Sequence, residues 1–361
     1  MKVLLETSPL RNANAIRGVG VYTKFLSQEL EKLQNTQDEY FTSEDIGLEQ
    51  FNAFMSKKGI DIIHYPYFNL FQQTLPLPAI NQFLGRSSQK VVVTIHDVIP
   101  LLYPTHYPVG IAGNVGLFLQ KQALKSVAAV ITDSQTSKQD ITRYLPVPQQ
   151  KITAIPLAGN PEIKKSSAHV VAQIRKRYDL PNQYLLYVGD INYNKNIPEL
   201  VKALALVDSN IHLVCVGANF KPLPIPEWKA IEVQLSSVSN RVHFITNVPK
   251  EDTESLSAIY TAAEAYVQPS LYEGFGLPLL EAMQCGTQVI SSNTPALLEI
   301  GGNGVEFVGL QHADIANGIK RVINLSSAEK NKRVALNNET LYRFSWKKAA
   351  QETVQVYRNI L

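Results

Sequence analysis

Short apolar runs alternate with longer amphipathic segments along the chain, and this alternation predicts strands and helices in turn. In the first half, the apolar runs predict buried strands at residues 2–6, 61–64, 91–95, 128–131 and 151–156. In the second half, they predict strands at residues 184–188, 211–216, 242–245, 265–268 and 288–291. Strands that alternate with helices form parallel sheets covered by helices on both faces. The pattern therefore predicts an α/β protein.

A short linker separates the two sets of elements. Residues 157–163 read LAGNPEI and contain both glycine and proline, which favour an irregular connection. We therefore expect two Rossmann-like domains, residues 1–162 and residues 163–344, whose parallel sheets face each other across a central cleft. An amphipathic helix is expected at residues 346–361, but its pattern does not say which domain it covers.

One stretch, residues 269–286, combines a glycine-containing loop with the start of a helix and reads PSLYEGFGLPLLEAMQCG. Pro278 suits the first turn of a helix, where its missing N–H costs nothing. Gly286 suits the position just after a helix, where the backbone often needs a positive φ. We therefore predict a helix that begins at Pro278 and ends before Gly286.

The start of this helix is a candidate anion site, because the N–H groups of Phe275, Gly276 and Leu277 have no partner within a helix. Glu273 lies in the preceding loop, and Glu281 is expected in the first turn. Two carboxylates around an anion pocket suit a ligand that carries phosphate and hydroxyl groups, and a nucleotide sugar is such a ligand. The alternative is that the carboxylates only complement the helix dipole and that Gly-Phe-Gly is a tight turn.

A glycine pair stands near the start of the chain. Gly18 and Gly20 follow the first strand and precede a helix predicted at residues 21–33. A strand, a glycine loop and a helix form the phosphate-side corner of an α/β unit. The spacing is not that of the dinucleotide fingerprint, so we do not expect an NAD site.

Polar and aromatic side chains follow two further strands of the first half. His64, His96 and Asp97 stand at the carboxyl ends of their strands, where open parallel sheets bind ligands. Either histidine could instead have a purely structural role. Aromatic residues beside them could form a platform for an acceptor or be partly buried loop residues: Tyr65, Tyr67, Phe68, Tyr103 and Tyr107.

Composition excludes several classes of protein. Lys and Arg number 34 against 31 Asp and Glu, and no dense basic run occurs, so nucleic-acid binding is not expected. No run approaches the roughly 20 apolar residues of a membrane span, and the start does not resemble a signal peptide. Cys215 and Cys285 are expected to be buried thiols in a cytoplasmic protein. Peripheral contact with the inner membrane face stays open.

Four stretches of the chain resemble the retaining glycosyltransferases of family 4, which have the two-domain GT-B fold. They are RGVGVYTKFL (17–26), VVVTIHDVIPLLYPTHY (91–107), LLYVGDINYNKN (185–196) and PSLYEGFGLPLLEAMQCGTQVISSN (269–293). The last is the most specific, because it has the family's two glutamates separated by seven residues with Gly-Phe-Gly-Leu-Pro between them. The resemblance covers nearly all of the chain.

The resemblance implies catalytic roles for three residues. Glu273 would hold the donor sugar, Lys195 would neutralise the departing diphosphate, and His96 would bond a hydroxyl of the sugar from the other domain. It implies a donor-binding set that also contains Lys195: Gly18, Gly20, Gly274, Phe275, Gly276, Leu277 and Glu281. Within this set, Glu281 would accept hydrogen bonds from the ribose.

The resemblance also bears on the acceptor, the metal and the last helix. We assign the acceptor side to Tyr65, Tyr67, Asp97 and Tyr103. Such enzymes typically need no metal or other cofactor, and no metal-binding motif of the DxD type follows a strand here. Their final helix, residues 345–361 in this chain, usually crosses back to pack on the first domain.

Two positions depart from the family pattern. Many members place Arg directly after the glycine that follows the first strand of the second domain, and this chain has Asp190 there. Some members carry Arg directly before the lysine, where this chain has Asn194. One expected cation on the diphosphate is therefore missing, and Arg17, another basic group or a helix N-terminus would have to replace it.

The stretch HDVIPLLYP resembles bacterial mannosyltransferases that use GDP-mannose. We therefore favour this donor, with UDP-glucose and UDP-N-acetylglucosamine as alternatives. The acceptor is expected to be a growing polysaccharide, a lipid-linked glycan or a small molecule. Two other functions remain open: a two-domain nucleotide-sugar epimerase, and a non-catalytic relative that only binds nucleotide.

Overall fold

The computed structural model divides the chain into two compact units. The first consists of Met1–Leu157 together with Ser345–Leu361, and the second of Ala158–Phe344. The structure describes residues 1–11, 18–43, 54, 57–72, 75, 89–249 and 251–361.

The first unit is built on a six-stranded sheet in which every pair of neighbours is parallel. Its strands are Lys2–Leu5 (β1), Glu39–Thr42 (β2), Ile62–Tyr65 (β3), Lys90–Thr94 (β4), Ala129–Thr132 (β5) and Ile152–Ala154 (β6). Its described helices are Gly18–Lys32 (α1), Ile99–Leu102 (α2), Gly110–Leu124 (α3), Gln135–Tyr144 (α4) and, after the second unit, Trp346–Ile360 (α13). The strand order is β2-β1-β3-β4-β5-β6.

The second unit is built on another parallel six-stranded sheet. Its strands are Tyr184–Val188 (β7), His212–Val216 (β8), Val242–Ile245 (β9), Ala265–Gln268 (β10), Gln288–Ser292 (β11) and Glu306–Val308 (β12). Its described helices are Ala168–Arg177 (α5), Ile197–Leu204 (α6), Pro226–Leu235 (α7), Thr253–Ala262 (α8), Leu277–Gln284 (α9), Pro295–Ile300 (α10), His312–Ile323 (α11) and Ser327–Leu341 (α12).

The strand order of the second sheet, β12-β11-β10-β7-β8-β9, sets the place where a ligand is expected. The chain leaves β7 toward β8 and β9, and then returns to build β10, β11 and β12 on the other side. The loops after β7 and β10 therefore diverge to opposite faces, and the gap between them is the topological switch point of an open α/β sheet. In the first sheet, the corresponding reversal lies between β1 and β3.

The predicted α/β class, with two parallel Rossmann-like sheets, is confirmed. The central strands were predicted well because they are buried on both faces and read as continuous apolar runs; all four residues of β5 and of β10 are buried. Two edge strands were missed. The β2 residues are all only half-buried, and β12 has just three residues, so neither gives a clear apolar run. Cys215 and Cys285 are free and buried, as predicted.

The glycine pair near the start lies in a helix and not in a loop. Helix α1 includes Gly18 and Gly20 in its first turn, whereas the sequence predicted a helix that begins at residue 21. The first N–H groups of a helix have no intrahelical partner, so the start of α1 is only loosely set by the local sequence.

The last helix, α13, belongs to the first unit and packs on α1. The Trp346 ring lies 5.6 Å from the ring of Phe25 and 6.3 Å from that of Tyr22, measured between centroids. Apolar and aromatic residues recur on one face of α13, which explains why the helix needs a partner surface.

A chain of buried polar side chains joins α13 to the sheet. Tyr357 Oη lies 2.6 Å from His64 Nδ1, His64 Nε2 lies 2.8 Å from Thr94 Oγ1, and Thr94 Oγ1 lies 2.9 Å from Tyr22 Oη. All four side chains are buried. Of the two roles left open for His64, the structural one is therefore supported, because its ring is buried near the end of β3 and both nitrogens bond within the protein.

Burial and the nearby His96 lower the pKa of His64 to about 3. His64 is therefore neutral at pH 7 in the folded chain. Because an exposed histidine has a pKa near 6.5, unfolding at lower pH is coupled to proton uptake. The stability that neutral His64 contributes is complete above about pH 6.5, and it is lost as the pH falls from there toward 3.

Removing the Tyr357 hydroxyl is expected to leave His64 Nδ1 buried without a partner. We predict that Tyr357→Phe lowers the free energy of unfolding by about 1–3 kcal/mol at pH 7. Urea denaturation followed by circular dichroism measures this change. Tyr342→Phe is the matched control, because Tyr342 is 90% exposed and its substitution should have little effect. Equal stability of the two variants would contradict the structural role of the Tyr357–His64 bond.

Candidate functional site

Lys195 and Glu273 meet at the switch point of the second sheet. Lys195 ends a single 3₁₀ turn, Tyr193–Lys195, in the loop after β7, and Glu273 lies in the loop after β10. Lys195 Nζ lies 2.8 and 2.9 Å from the two carboxylate oxygens of Glu273. The structure thus brings together two residues that are 78 positions apart in the sequence.

Glu273 is held by neutral donors as well as by Lys195. Ser270 Oγ donates to Glu273 Oε1 at 2.6 Å, and Gln268 Nε2 donates to the same oxygen at 3.1 Å. Tyr266 Oη in turn donates to Gln268 Oε1 at 3.2 Å. The Glu273 side chain is only 8% exposed, whereas that of Lys195 is 23% exposed. The carboxylate is therefore held by several partners, and solvent reaches the Lys195 side chain more than it reaches Glu273.

Sequence reasoning did not identify Gln268 and Ser270 as functional candidates. A signal for them existed, because both stand at the carboxyl end of β10, next to the glutamate that they position. A polar residue that ends an otherwise apolar strand is common in strands of any kind. Their hydrogen bonds to Glu273 show that Gln268 and Ser270 position this carboxylate.

The loop after β7 is braced against the loop after β10 by asparagines. Asn194 is buried, its side-chain amide donates to the Tyr272 carbonyl at 2.9 Å, and its own carbonyl accepts from the Leu271 N–H at 2.7 Å. Asn196 adopts φ = 56° and donates to the carbonyls of Pro269 and Leu310. Asn194 therefore provides structural support at the position where some family members have a cation.

Helix α9 begins beside this pair. Its N-cap is Gly276, whose φ of 128° is accessible mainly to glycine, and a Cβ there would lie 2.8 Å from Leu297 Cδ2. Gly286, with φ = 72°, follows the helix as predicted. The helix starts at Leu277, with Pro278 in its first turn. Gly274, Phe275 and Gly276 are buried, so their backbone groups form the floor of this loop.

Glu281 does not lie in the first turn of α9, as the sequence had indicated. The first turn contains no acidic residue, because the helix begins at Leu277 and Glu281 falls in the second turn. Burial raises the pKa of Glu281 to about 7, although hydrogen bonds from Tyr260 Oη and the Asn160 N–H act in the opposite direction. The Glu281 carboxyl group therefore keeps its proton to a higher pH than an exposed glutamate does.

In the first unit, His96 stands at the carboxyl end of β4 with both ring nitrogens engaged. Nδ1 lies 2.6 Å from Asp133 Oδ2, and Nε2 lies 3.1 Å from the Pro66 carbonyl. The edge of the His96 ring contacts the Tyr22 ring at a centroid distance of 5.0 Å. A carbonyl oxygen can only accept, so Nε2 carries a hydrogen, and a sugar hydroxyl would have to share or replace the contact to Pro66.

Asp133 determines the protonation of His96. Burial alone would lower the pKa of His96, but the charge and hydrogen bond of Asp133, with a smaller contribution from Asp97, raise it overall. Acceptors at both nitrogens favour the protonated imidazolium form of the ring, which has no lone pair with which to act as a base. Asp133 was not among the candidate residues that the sequence indicated.

The aromatic residues considered for the acceptor are not equivalent. Phe68 is 6% exposed and belongs to the apolar core of the first unit, so its placement in an aromatic platform was wrong. Tyr65, the last residue of β3, packs against the same core, and burial raises its pKa to about 12. Tyr67 and Tyr103 are half-buried, and Asp97 Oδ1 accepts the N–H of Ile99 at 3.0 Å.

Gly18 and Gly20 stand at the start of α1, where Gly18 is exposed and Gly20 is buried. Arg17 lies outside the described residues. Asp190 is half-buried in the loop after β7, and its carbonyl accepts from Tyr187 Oη at 2.9 Å.

Within the described ranges, no three His, Cys, Asp or Glu side chains form a group that could hold a metal ion. Across the same ranges, no helix has both the length and the apolar character that crossing a membrane requires.

Family models match both parts of the chain. The model described as Glycosyltransferase Family 4 matches residues 41–162, and the one described as Glycosyl transferases group 1 matches residues 172–340. Together they cover most of the sequence, and the second includes Lys195, Glu273 and Glu281. The chain belongs to the family 4 glycosyltransferases, as its motifs predicted, and it is a glycosyltransferase enzyme.

Individual proteins agree with this assignment. The chain is 26% identical over 286 residues to O-antigen chain mannosyltransferase B of Escherichia coli, covering 77% of this chain and 72% of that protein. Sucrose-phosphate synthase from Thermosynechococcus elongatus has a TM-score of 0.75 at 22% identity, over 100% of this chain and 99% of the other. Anabaena HepE in complex with UDP and glucose has a TM-score of 0.73 at 18% identity, over 99% and 100%. These structural similarities confirm the GT-B fold.

The pairing of Asp133 with His96 makes a prediction about the ionisation of the histidine. We predict that Asp133→Asn lowers the pKa of His96, because the neutral amide no longer offsets the cost of burying the charged ring. NMR titration of the imidazole, assigned by comparison with a His96→Gln variant, measures the shift. Asp97→Asn is the control and should produce a smaller decrease. An unchanged pKa in Asp133→Asn would show that the pair does not govern the protonation of His96.

Proposed function

We propose that this chain is a retaining glycosyltransferase that transfers a hexose from a nucleoside-diphosphate sugar to an acceptor hydroxyl, with GDP-mannose as the favoured donor. The single observation that carries the proposal is the position of Lys195. Its ammonium group lies at the switch point of the second sheet and is held by Glu273, which directly precedes the glycine loop that opens α9. A cation and a helix N-terminus at one strand edge suit a diphosphate.

In the proposed complex, Lys195 and the first N–H groups of α9 contact the diphosphate. Glu273 holds Lys195 in place and, with the backbone from Gly274 to Leu277, contacts the donor sugar. Glu281 accepts hydrogen bonds from the ribose hydroxyls. The pKa of Glu281, near 7, fits this role, because two hydroxyl donors would stabilise the ionised form when the ligand binds.

The proposed chemistry keeps the anomeric configuration. The acceptor oxygen forms a bond to the anomeric carbon on the same face from which the phosphate departs, as the bond between that carbon and the phosphate oxygen breaks. The hydroxyl proton passes to the departing phosphate oxygen, so no protein base is needed. Negative charge grows on the diphosphate in the transition state, where Lys195 and the helix N-terminus stabilise it. These groups supply positive charge, and the proposal includes no metal.

Residues of the first unit have supporting roles in this proposal. The imidazolium of His96 donates a hydrogen bond to a hydroxyl of the sugar by sharing the Nε2–H that now contacts Pro66. The small residues Gly18 and Gly20 let the start of α1 approach the ligand. The proposed acceptor side remains the carboxyl edge of the first sheet, at and after the ends of β3 and β4. Its residues are Tyr65, Tyr67, Asp97 and Tyr103.

The donor is proposed from the relatives and the HDVIPLLYP stretch. O-antigen chain mannosyltransferase B is named for mannosyl transfer, which favours GDP-mannose. Anabaena HepE was solved with UDP and glucose, so a UDP-sugar is the alternative. For the acceptor we propose a glycan, a lipid-linked glycan or a small molecule, met at the cytoplasmic side and, for a lipid-linked acceptor, at the membrane surface.

Nucleotide binding and transfer test this function together. We predict that GDP raises the thermal unfolding temperature more than UDP or ADP, because only a ligand that prefers the folded state stabilises it. Lys195→Ala should weaken binding of the preferred nucleotide by about 1–3 kcal/mol and reduce sugar transfer. Calorimetry measures affinity, and NMR of the product measures the anomeric configuration.

Lys202→Ala is the matched control, because Lys202 pairs with Glu199 on α6 and should not affect nucleotide binding. The proposed site is wrong if Lys195→Ala binds nucleotide as tightly as Lys202→Ala does. An epimer of the donor that forms without acceptor would instead assign the chain to the nucleotide-sugar epimerases. An inverted product would contradict the retaining mechanism.

A further inference from the structure

Helix α3 carries a line of exposed apolar side chains. Ile111, Val115 and Phe118 are 86%, 53% and 60% exposed. They stand at positions i, i+4 and i+7, so they share one face of the helix. We call these three residues the outer stripe. An apolar line of this kind on a surface helix needs an explanation, because single exposed apolar residues are common but aligned ones are not.

The opposite face of α3 is fixed to the first unit. Gly116, Gln120, Ala123 and Leu124 are buried there. A Cβ on Gly116 would lie 2.0 Å from the Phe71 carbonyl oxygen, and Gln120 Nε2 donates to the carbonyls of Asn69 and Gln72. The helix therefore cannot rotate to bury the outer stripe against its own unit without losing these contacts.

The outer stripe is distinct from the other exposed apolar residues of the described chain. Of the eight large apolar side chains that are exposed there, three belong to α3. The other five lie singly on or beside different elements: Leu206, Val233, Leu298, Tyr342 and Leu361. Among the helices whose residues the structure describes, only α3 presents a continuous exposed apolar line.

The charged residues near the outer stripe in the sequence all have the same sign. Residues 98–132 contain no Asp or Glu, and their charged residues are Lys121 and Lys125. Both lysines lie within about 60° of Phe118 around the helix axis, at 100° per residue. Lys125 is exposed and Lys121 is half-buried. The face therefore continues from apolar to basic along the helix, which is complementary to an anionic lipid surface.

We propose that α3 binds the surface of an anionic phospholipid bilayer, with Ile111, Val115 and Phe118 inserted among the lipids and Lys121 and Lys125 facing the headgroups. With 15 residues, α3 is shorter than the roughly 20 that span a bilayer, so it lies in the plane of the surface. The loop before α3 follows the carboxyl end of β4, where the proposed acceptor-side residues lie. A lipid-linked acceptor would thus be met at the bound surface. The proposal concerns binding alone and does not depend on the identity of the donor.

Co-sedimentation of the full chain with vesicles tests this proposal. We expect the protein to bind phosphatidylcholine vesicles that contain phosphatidylglycerol and to bind pure phosphatidylcholine vesicles more weakly. The double variant Ile111→Ser/Phe118→Ser should lose affinity at least about tenfold, because it removes two inserting apolar groups. Lys121→Gln and Lys125→Gln should each lose about fivefold at low salt, and high salt should reduce this loss.

Val233→Ser is the matched control, because Val233 is an exposed apolar residue, 67% exposed, on α7 of the second unit. Its vesicle binding should equal that of the unaltered chain. Thermal unfolding of each variant checks that the fold is intact, and light scattering reports its oligomeric state. The proposal is overturned if the unaltered protein does not bind anionic vesicles or if Ile111→Ser/Phe118→Ser binds them equally well. It is also overturned if that variant only converts an oligomer to a monomer, since a second copy would then cover the face. None of these failures would change the expected nucleotide binding.

Discussion

The ion pair between Lys195 and Glu273 connects the fold of the second unit to its chemistry. A carboxylate that is 8% exposed is costly unless it is paired and hydrogen-bonded, and Glu273 meets both conditions through Lys195, Ser270 and Gln268. Lys195 and Glu273 can meet because they follow β7 and β10, which are neighbouring strands of the sheet. The carboxylate in turn holds an ammonium group at the strand edge, where a diphosphate would need it. The arrangement of the sheet, the hydrogen bonds to Glu273 and the half-buried Lys195 therefore depend on one another.

Much of this construction could be predicted from the sequence, and the reason is local. Strands β7 and β10 are continuous apolar runs, and the stretch around α9 carries glycine and proline at positions where the backbone requires them. The missed features depend on contacts between distant parts of the chain. Tertiary packing determines three of them: the bond between Glu273 and Lys195, the effect of Asp133 on the pKa of His96, and the structural role of His64. The turn of α9 that contains Glu281 was misjudged because helix boundaries are only loosely encoded.

The first unit shows how the same residue types can serve different purposes. His64 and His96 both lie near the carboxyl ends of parallel strands, yet burial lowers the pKa of His64 while Asp133 raises that of His96. His64 ties α13 to the sheet, and His96 stands beyond the end of β4. Helix α3 differs again, because its inner face is fixed by Gly116 and Gln120 while its outer stripe is exposed.

The central claim is that Glu273 acts on the nucleotide chiefly by holding Lys195. A double-mutant cycle of Lys195→Met and Glu273→Gln, with nucleoside-diphosphate affinity measured by calorimetry, tests it most directly. If the claim is right, Glu273→Gln weakens binding in the unaltered chain but has almost no effect once Lys195 is Met, giving a coupling energy of about 0.5–3 kcal/mol. Losses that simply add would contradict the claim, because the two residues would then contact the ligand independently.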